Sequence, residues 1–180
     1  MRSRNAFLLL VLALCTFTAS AQSSTFNVTL LGSNEVPPAD PDGTGTATVV
    51  IIGTSVNYTI TVNNVTAPPI AQHIHQGAAG VNGPIVINLV PFVGSSWVCA
   101  PGPSSPCTLT GGTTTTPALA NAIIANPAGF YLNVHTTDFP GGAIRGQLVA
   151  APEAPTASTL GLVVLGAVLA LAGMFFVRRA

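Results

Sequence analysis

The sequence predicts an all-β fold, an antiparallel sandwich that carries one short helix. Three observations favour this fold class. Apolar residues recur at every second position in six segments, turn-forming residues separate these segments, and one segment alone has the capping residues of a helix. A half-buried antiparallel sheet produces such alternation because successive side chains point to opposite faces.

The clearest alternation lies in residues 57–63, where Tyr58, Ile60 and Val62 share one face and Asn and Thr occupy the other. The other apolar sets at i, i+2 and i+4 are Phe26-Val28-Leu30, Ala47-Val49-Ile51, Ile85-Ile87-Leu89, Phe130-Leu132-Val134 and Ile144-Gly146-Leu148. The turn sequences between them are Pro41-Asp42-Gly43, Gly53-Thr54, Val81-Asn82-Gly83-Pro84 and Pro140-Gly141-Gly142. Roughly seven or eight short strands are therefore expected.

The single helix is predicted over residues 117–125. Thr116 is a suitable N-cap, Pro117 fits the first helical position, and Asn126-Pro127 ends the run. We expect this helix to cross one open end of the sandwich.

The N-terminal segment 1–21 has the pattern of a signal peptide. Arg2 and Arg4 precede an apolar run at residues 6–17, and Ala19-Ser20-Ala21 supplies the small residues that signal peptidase requires. The mature chain is expected to start at Gln22, so the protein is predicted to be exported.

Residues 160–177 are predicted to be a transmembrane helix. The stretch is uncharged and of adequate length, and Arg178-Arg179 follow it as a cytoplasmic basic end, 178–180. The domain would then lie outside, at the cell envelope or cell surface. A buried helix of a soluble domain is the alternative, but such a helix normally has a polar stripe.

The linker 151–159 contains Pro152-Glu153-Ala154-Pro155, and the whole tail resembles a bacterial PEP-CTERM sorting signal. In this chain the third motif position is alanine. The resemblance implies a bacterial host and a tail that a sorting enzyme recognises.

The remaining residues, 22–150, have the size of one domain. The chain has five Lys and Arg residues, four of which lie in the terminal segments, so Arg145 is the single cation of the domain. This scarcity excludes nucleic acid as a partner, because phosphate neutralisation requires clustered cations. It also excludes binding of the domain to anionic lipid headgroups.

Two of the three cysteines, Cys99 and Cys107, remain once the signal peptide is removed. In an exported protein they are expected to form a disulfide on a long loop. A pair of metal thiolates is the alternative. Lipid modification of Cys15 is not expected, because Leu14 precedes it where a small residue is required.

Three segments carry a family resemblance. They are Leu31-Gly32-Ser33-Asn34-Glu35-Val36-Pro37-Pro38, the turn His73-Ile74-His75-Gln76-Gly77, and a closing segment that runs from Asn133-Val134-His135-Thr136 to Pro140-Gly141-Gly142-Ala143-Ile144-Arg145-Gly146-Gln147-Leu148. Together they resemble the chordin-type (CHRD) domain over about residues 26–149. The resemblance implies an Ig-like or superoxide-dismutase-like Greek-key sandwich.

These segments hold all three histidines of the chain. In a strand, His73 and His75 project from the same face about 7 Å apart, and His135 lies on the polar face of its own strand. If the two strands are neighbours, His73, His75 and His135 form a candidate site for copper or zinc. The alternative is structural: the histidines brace turns by hydrogen bonds to backbone, Thr136 or Asp138.

Arg145 is predicted either to guide an anion or to form an ion pair with Glu35 or Asp138. Copper–zinc superoxide dismutases also have a His-x-His strand, a later histidine and an arginine, but this chain lacks their further histidines. Dismutase activity is therefore not expected. The sequence shows no nucleophile triad, no paired active-site carboxylates and no phosphate loop, so no catalytic residue is assigned.

Three functions remain open at this point. The first is a non-enzymatic adhesion module that binds extracellular polysaccharide or protein. The second is a metal-binding protein that uses the three histidines. The third is a structural component of an extracellular coat.

Overall fold

The computed structural model describes residues 23–90, 96–102 and 106–152. The predicted signal peptide, the transmembrane segment and the basic end lie outside these residues. Within the described ranges, no helix is long and apolar enough to cross a membrane.

Ten strands and one α-helix make up the described domain. The strands are β1 Ser23–Leu31, β2 Thr44–Ile52, β3 Ser55–Asn63, β4 Ala71–Gln76, β5 Ile85–Asn88, β6 Val98–Cys99, β7 Cys107–Thr114, β8 Phe130–His135, β9 Ile144–Gln147 and β10 Val149–Ala150. The helix, α1, is Pro117–Ala125. The predicted all-β class with one short helix is confirmed.

All strand pairs are antiparallel, and they join into one continuous sheet in the order β5-β4-β8-β9-β1-β2-β3-β7-β6, with β10 beside β1. The two halves of this sheet meet at β9 and β1, where the register has the single pair Leu31↔Arg145. Both halves supply buried apolar residues to one cluster. The sandwich is therefore a single sheet that folds over its own core.

The core follows the predicted alternation. In β1, β2 and β3 every second residue is buried, including Val28, Val49 and Ile60. Residues from the other half, such as Ile74 and Leu132, are also fully buried in this cluster. Burial of these side chains supplies the main stabilising free energy, about 1.5–3 kcal/mol for each large aliphatic residue.

The helix begins and ends as predicted. The Thr116 side chain accepts a hydrogen bond from the Leu119 N–H at 3.2 Å, and Pro117 occupies the first helical position. Ala120 and Ile123 are buried in the core cluster, so α1 covers part of the core.

One predicted apolar set is wrong in part. Ile87 and Leu89 are buried, but Ile85 is 48% exposed. The register between β4 and β5 shifts between Ile74 and His75, so Ile85 pairs with His75 on the opposite face from Ile87. An irregular ladder moves a side chain across the sheet, which the sequence alternation does not reveal.

The disulfide between Cys99 and Cys107 is present and joins the paired strands β6 and β7. It thus fixes the edge of the sheet that is formed by β6.

Candidate metal centre

A layer of polar side chains covers the outer face of β4, β8 and β9, opposite the apolar core. The register pairs His73 with Asn133, His75 with Tyr131, and Asn133 with Arg145, so these side chains project to the same side. We call the set the polar layer; its members are His73, His75, Tyr131, Asn133, His135 and Arg145.

The polar layer is buried rather than solvated. Arg145 is 2% exposed, Tyr131 2% and Asn133 3%, while His73 is half-buried. The sequence predicted half-buried strands with one polar face, but in β8 the polar face is buried as well, so that all six residues of the strand are buried. The cause lies in three loops, 32–43, 77–84 and 136–143, which contact the layer.

The three predicted histidines converge. One potential ligand nitrogen from each of His73, His75 and His135 lies within 4.8 Å of the other two. The Nδ1 atom of His73 is 3.1 Å from the Nε2 atom of His135. The convergence arises because β4 and β8 are adjacent, which places His135 diagonally from His73.

Backbone carbonyls fix the orientation of two of the rings. The Nδ1–H group of His75 donates to the Gly83 carbonyl at 2.9 Å, and that of His135 donates to the Pro140 carbonyl at 3.0 Å. Each ring then presents an unprotonated Nε2 atom toward the cluster. A metal-binding histidine commonly uses its other nitrogen in this way, because the second hydrogen bond sets the tautomer.

Burial keeps His73 and His135 uncharged near neutral pH. Burial lowers the pKa of His73 to about 4, helped by the nearby His135 and His75 rings. Burial also lowers the pKa of His135, although its hydrogen bond to Pro140 acts in the opposite direction. Metals bind the neutral form of imidazole, so these two rings are in the charge state that a metal requires at neutral pH.

The donor set fits a transition metal. Imidazole nitrogens suit copper and zinc, which bind them at about 2.0–2.1 Å, so two such nitrogens on one ion lie roughly 3–4 Å apart. The 3.1 Å separation between the hydrogen-bonded atoms His73 Nδ1 and His135 Nε2 lies in this range, whereas separations in the cluster extend to 4.8 Å, so the rings would have to move slightly closer around an ion. The buried Nε2 atom of His75 has no hydrogen-bond partner among the described residues. Three protein donors leave further coordination positions open.

Beside the histidines lies the only cation of the domain. The Arg145 guanidinium lies 4.8 Å from the centroid of the Tyr131 ring, and the His75 ring stacks on Tyr131 at 4.8 Å with an interplanar angle of 10°. Arg145 also donates from Nε to the Asn34 carbonyl at 2.6 Å and from Nη1 to Asn82 Oδ1 at 2.7 Å. It therefore ties two covering loops to the sheet.

The ion-pair partner of Arg145 is Glu35, with 3.7 Å between Nε and Oε2. The alternative partner, Asp138, instead accepts a hydrogen bond from Thr66 and lines a separate cavity together with Asp40 and Asp42. Burial raises the pKa of Glu35 to about 7, against the opposing effect of Arg145.

Unpaired buried atoms concentrate around the polar layer. Five buried side-chain nitrogen or oxygen atoms of the described residues have no hydrogen-bond partner. Four belong to the layer or to its ion-pair partner: Glu35 Oε1, His75 Nε2, Asn133 Oδ1 and Arg145 Nη2. Such atoms are costly to bury without a partner, and an ordered water molecule, an ion or a ligand would satisfy them.

Sequence reasoning identified the histidines, Arg145 and Glu35 but missed Tyr131 and Asn133. Both precede His135 at intervals of two, so strand alternation places them on the same face and would have found them. The carbonyls of Gly83 and Pro140 leave no such trace, because any residue type has a carbonyl group.

Comparison with known proteins identifies the domain. Residues 26–148 match the CHRD domain family. No curated protein and no solved structure gives a significant match. The Ig-like or dismutase-like Greek-key topology thus stays a prediction. The match spans more than half of the sequence, and the chain belongs to the CHRD domain family.

Proposed function

We propose that this protein is a non-enzymatic binding module that holds one copper or zinc ion through His73, His75 and His135. The observation that carries the proposal is the convergence of three nitrogens within 4.8 Å, two of them on rings whose orientation is fixed by backbone carbonyls. A structural role of the histidines is compatible with this function. The hydrogen bonds to the loop carbonyls use Nδ1 of His75 and His135, Nε2 of His75 has no partner, and Nε2 of His135 accepts only from His73 Nδ1, a hydrogen bond that a bound ion would replace.

The test is stoichiometric metal uptake by the purified full-length protein. Titration calorimetry with zinc(II) and copper(II), after chelator treatment, should give about one equivalent. His135→Ala should weaken the uptake by the folded protein at least tenfold, because one of three ligands is lost, and should also lower the melting temperature, because the hydrogen bond to Pro140 is lost.

His73→Ala, which removes another of the three ligands, should also weaken metal uptake, and Asn88→Ala is its matched control. Asn88 pairs with His73 across β5 and β4 but supplies no imidazole. Asn88→Ala should leave metal uptake unchanged. If neither metal binds at micromolar concentration and His135→Ala mainly lowers the melting temperature, the histidines have only the structural role.

We further propose that the domain is exported and anchored at the cell surface by residues 160–177. The support is the pattern Ala19-Ser20-Ala21 at one end and Arg178-Arg179 at the other. Protease added to intact spheroplasts should digest the domain. Protection of the domain in that assay would contradict export.

A second candidate function is adhesion to a neutral polysaccharide. One surface cavity of about 620 Å³ is lined by the amide and hydroxyl residues Asn27, Thr29, Ser33, Asn34 and Gln147, together with Glu35 and apolar residues such as Val36 and Val149. Hydroxyl and amide groups of this kind suit a polyhydroxylated ligand. Asn27→Ala with Thr29→Ala should reduce retention on the extracellular polysaccharide of the host, whereas Thr59→Ala on β3, which does not line this cavity, should not. Equal retention of all variants would favour a role as a structural coat component.

A further inference from the structure

The charge environment of the three-histidine centre differs from that of most sites for divalent ions. All three donors are neutral imidazoles, and the cluster in the described part of the chain includes no carboxylate or thiolate. A bound cation would therefore find no negative charge among its ligands.

The charge that does lie close is positive. The Arg145 guanidinium lies 4.8 Å from the centroid of the Tyr131 ring, and that centroid lies 4.8 Å from the centroid of the His75 ring. The guanidinium is therefore within about 10 Å of the His75 ring. Arg145 is 2% exposed, and solvent therefore screens its charge poorly.

The partners of Arg145 compensate this charge only partly. Two of its hydrogen bonds go to neutral oxygen atoms, the Asn34 carbonyl and the Asn82 side-chain amide. Glu35 is 3.7 Å away, but burial raises the pKa of its carboxyl group to about 7, so a substantial fraction is neutral at neutral pH. Nη2 of Arg145 has no partner among the described residues.

We propose that this centre selects the monovalent ion, copper(I), over copper(II) and zinc(II), because buried neutral donors and the Arg145 charge penalise a second positive charge. The inference rests on the proposed metal binding at His73, His75 and His135. The cost of moving an ion out of water rises with the square of its charge, and the repulsion from Arg145 rises in proportion to it. Imidazole nitrogens bind both copper and zinc, so the electrostatic surroundings determine which ion the site prefers.

The decisive experiment measures the dissociation constants for copper(I), copper(II) and zinc(II) on the full-length protein at pH 7, by competition with chelators, with copper(I) kept under anaerobic reducing conditions. We expect copper(I) to bind at least about tenfold more tightly than copper(II), the effect of one unit charge about 12 Å away at an effective dielectric constant of 20. Each tenfold step raises the reduction potential of bound copper by about 59 mV relative to the aqueous couple.

Two substitutions should shift this preference in opposite directions. Arg145→Gln removes the positive charge and should reduce the copper(I) preference about tenfold. Glu35→Gln removes the partly compensating carboxylate and should increase the preference. Asp42→Asn, in the separate acidic cavity, is the control and should leave the preference unchanged. If Arg145 and Glu35 had a purely structural role, their substitution would instead weaken the binding of all three ions alike.

The outcomes separate this inference from the proposed function. Tight binding of zinc(II) or copper(II) with weaker copper(I) binding overturns the inference and leaves the metal site intact. Failure of all three ions to bind overturns the proposed function and the inference with it. If Arg145→Gln does not fold, the dissociation constants of the wild-type protein and the direction in which Glu35→Gln shifts the copper(I) preference still test the inference.

Discussion

The two faces of β8 are equally buried but differ in chemistry. One face presents Leu132 and Val134, both 0% exposed, to the apolar core. The other presents Tyr131, Asn133 and His135, none more than 8% exposed, to the loops that cover the polar layer. Close packing is enough to stabilise the buried apolar side chains, whereas each buried polar group on the other face also needs a hydrogen-bond partner.

This difference separates stability from function within one strand. On the apolar side, burial alone supplies favourable free energy. On the polar side the described structure leaves Asn133 Oδ1 of β8, and His75 Nε2 of the neighbouring strand β4, without a hydrogen bond, which lowers stability and leaves these atoms free to bind. Substitutions on the two faces should therefore have different signatures.

The largest effect is expected on the apolar face. Leu132→Ala should lower the free energy of unfolding by about 2–5 kcal/mol, because it removes transfer energy and leaves a cavity. Val149→Ala is the control, since Val149 is 61% exposed. Denaturant unfolding of both variants checks this. A cost below about 1 kcal/mol for Leu132→Ala would show that the apolar face is less tightly packed than described.

The disulfide lies at the far edge of the sheet from the polar layer and should affect stability alone. Replacing Cys99 and Cys107 together by serine should lower the unfolding free energy by about 2–3 kcal/mol in the chain-entropy model. Metal stoichiometry should not change. Thiol labelling of the denatured, non-reduced mature protein should find no free cysteine, and two reactive thiols would contradict the bond.

A pair of tyrosines gives a smaller and sharper comparison. The Tyr131 hydroxyl accepts a hydrogen bond from the Gly83 N–H at 3.1 Å, so Tyr131→Phe should cost about 1 kcal/mol. The Tyr58 hydroxyl is buried against the core without a hydrogen-bond partner in the described structure, and burial raises its pKa to about 12. Tyr58→Phe should be neutral or stabilising. Equal losses of unfolding free energy for Tyr131→Phe and Tyr58→Phe would contradict the expected difference between the two hydroxyl groups.

The smallest effect is a pair of opposing pH dependences, measured by denaturant unfolding with a chelator present. The pKa of His73 is about 4 in the folded domain and 6.5 in an unfolded chain, so its contribution to stability is present above pH 6.5 and is lost as the pH falls toward 4. The pKa of Glu35 is raised from 4.5 to about 7, so its contribution is present below pH 4.5 and is lost as the pH rises through 7.

Substitution separates these two contributions. Glu35→Gln should make stability rise more steeply with pH between 4.5 and 7, the range set by the unfolded and folded pKa values of Glu35, and His73→Asn should make it rise less steeply. If Glu35→Gln leaves the profile unchanged, the Glu35 carboxyl group is not protonated in the folded domain at neutral pH.

Much of the fold could be predicted from local sequence because local patterns determine it. The alternation of Tyr58, Ile60 and Val62 assigned a strand and its buried face, and Thr116 with Pro117 fixed the start of the helix. The same logic placed His73 and His75 on one face. The partial error at Ile85 has the same origin, since an irregular register is a property of two strands and not of one.

The sequence by itself determined which side chains share a face, because the period of a strand is a local property of the backbone. Only the tertiary structure decided which strands are neighbours and what covers them. It brought His135 beside His73, set the tautomers of two rings through loop carbonyls, and joined Arg145 to Asn34, which is 111 positions away in the chain. These contacts depend on loop closure and long-range pairing, and no periodicity in the sequence encodes them.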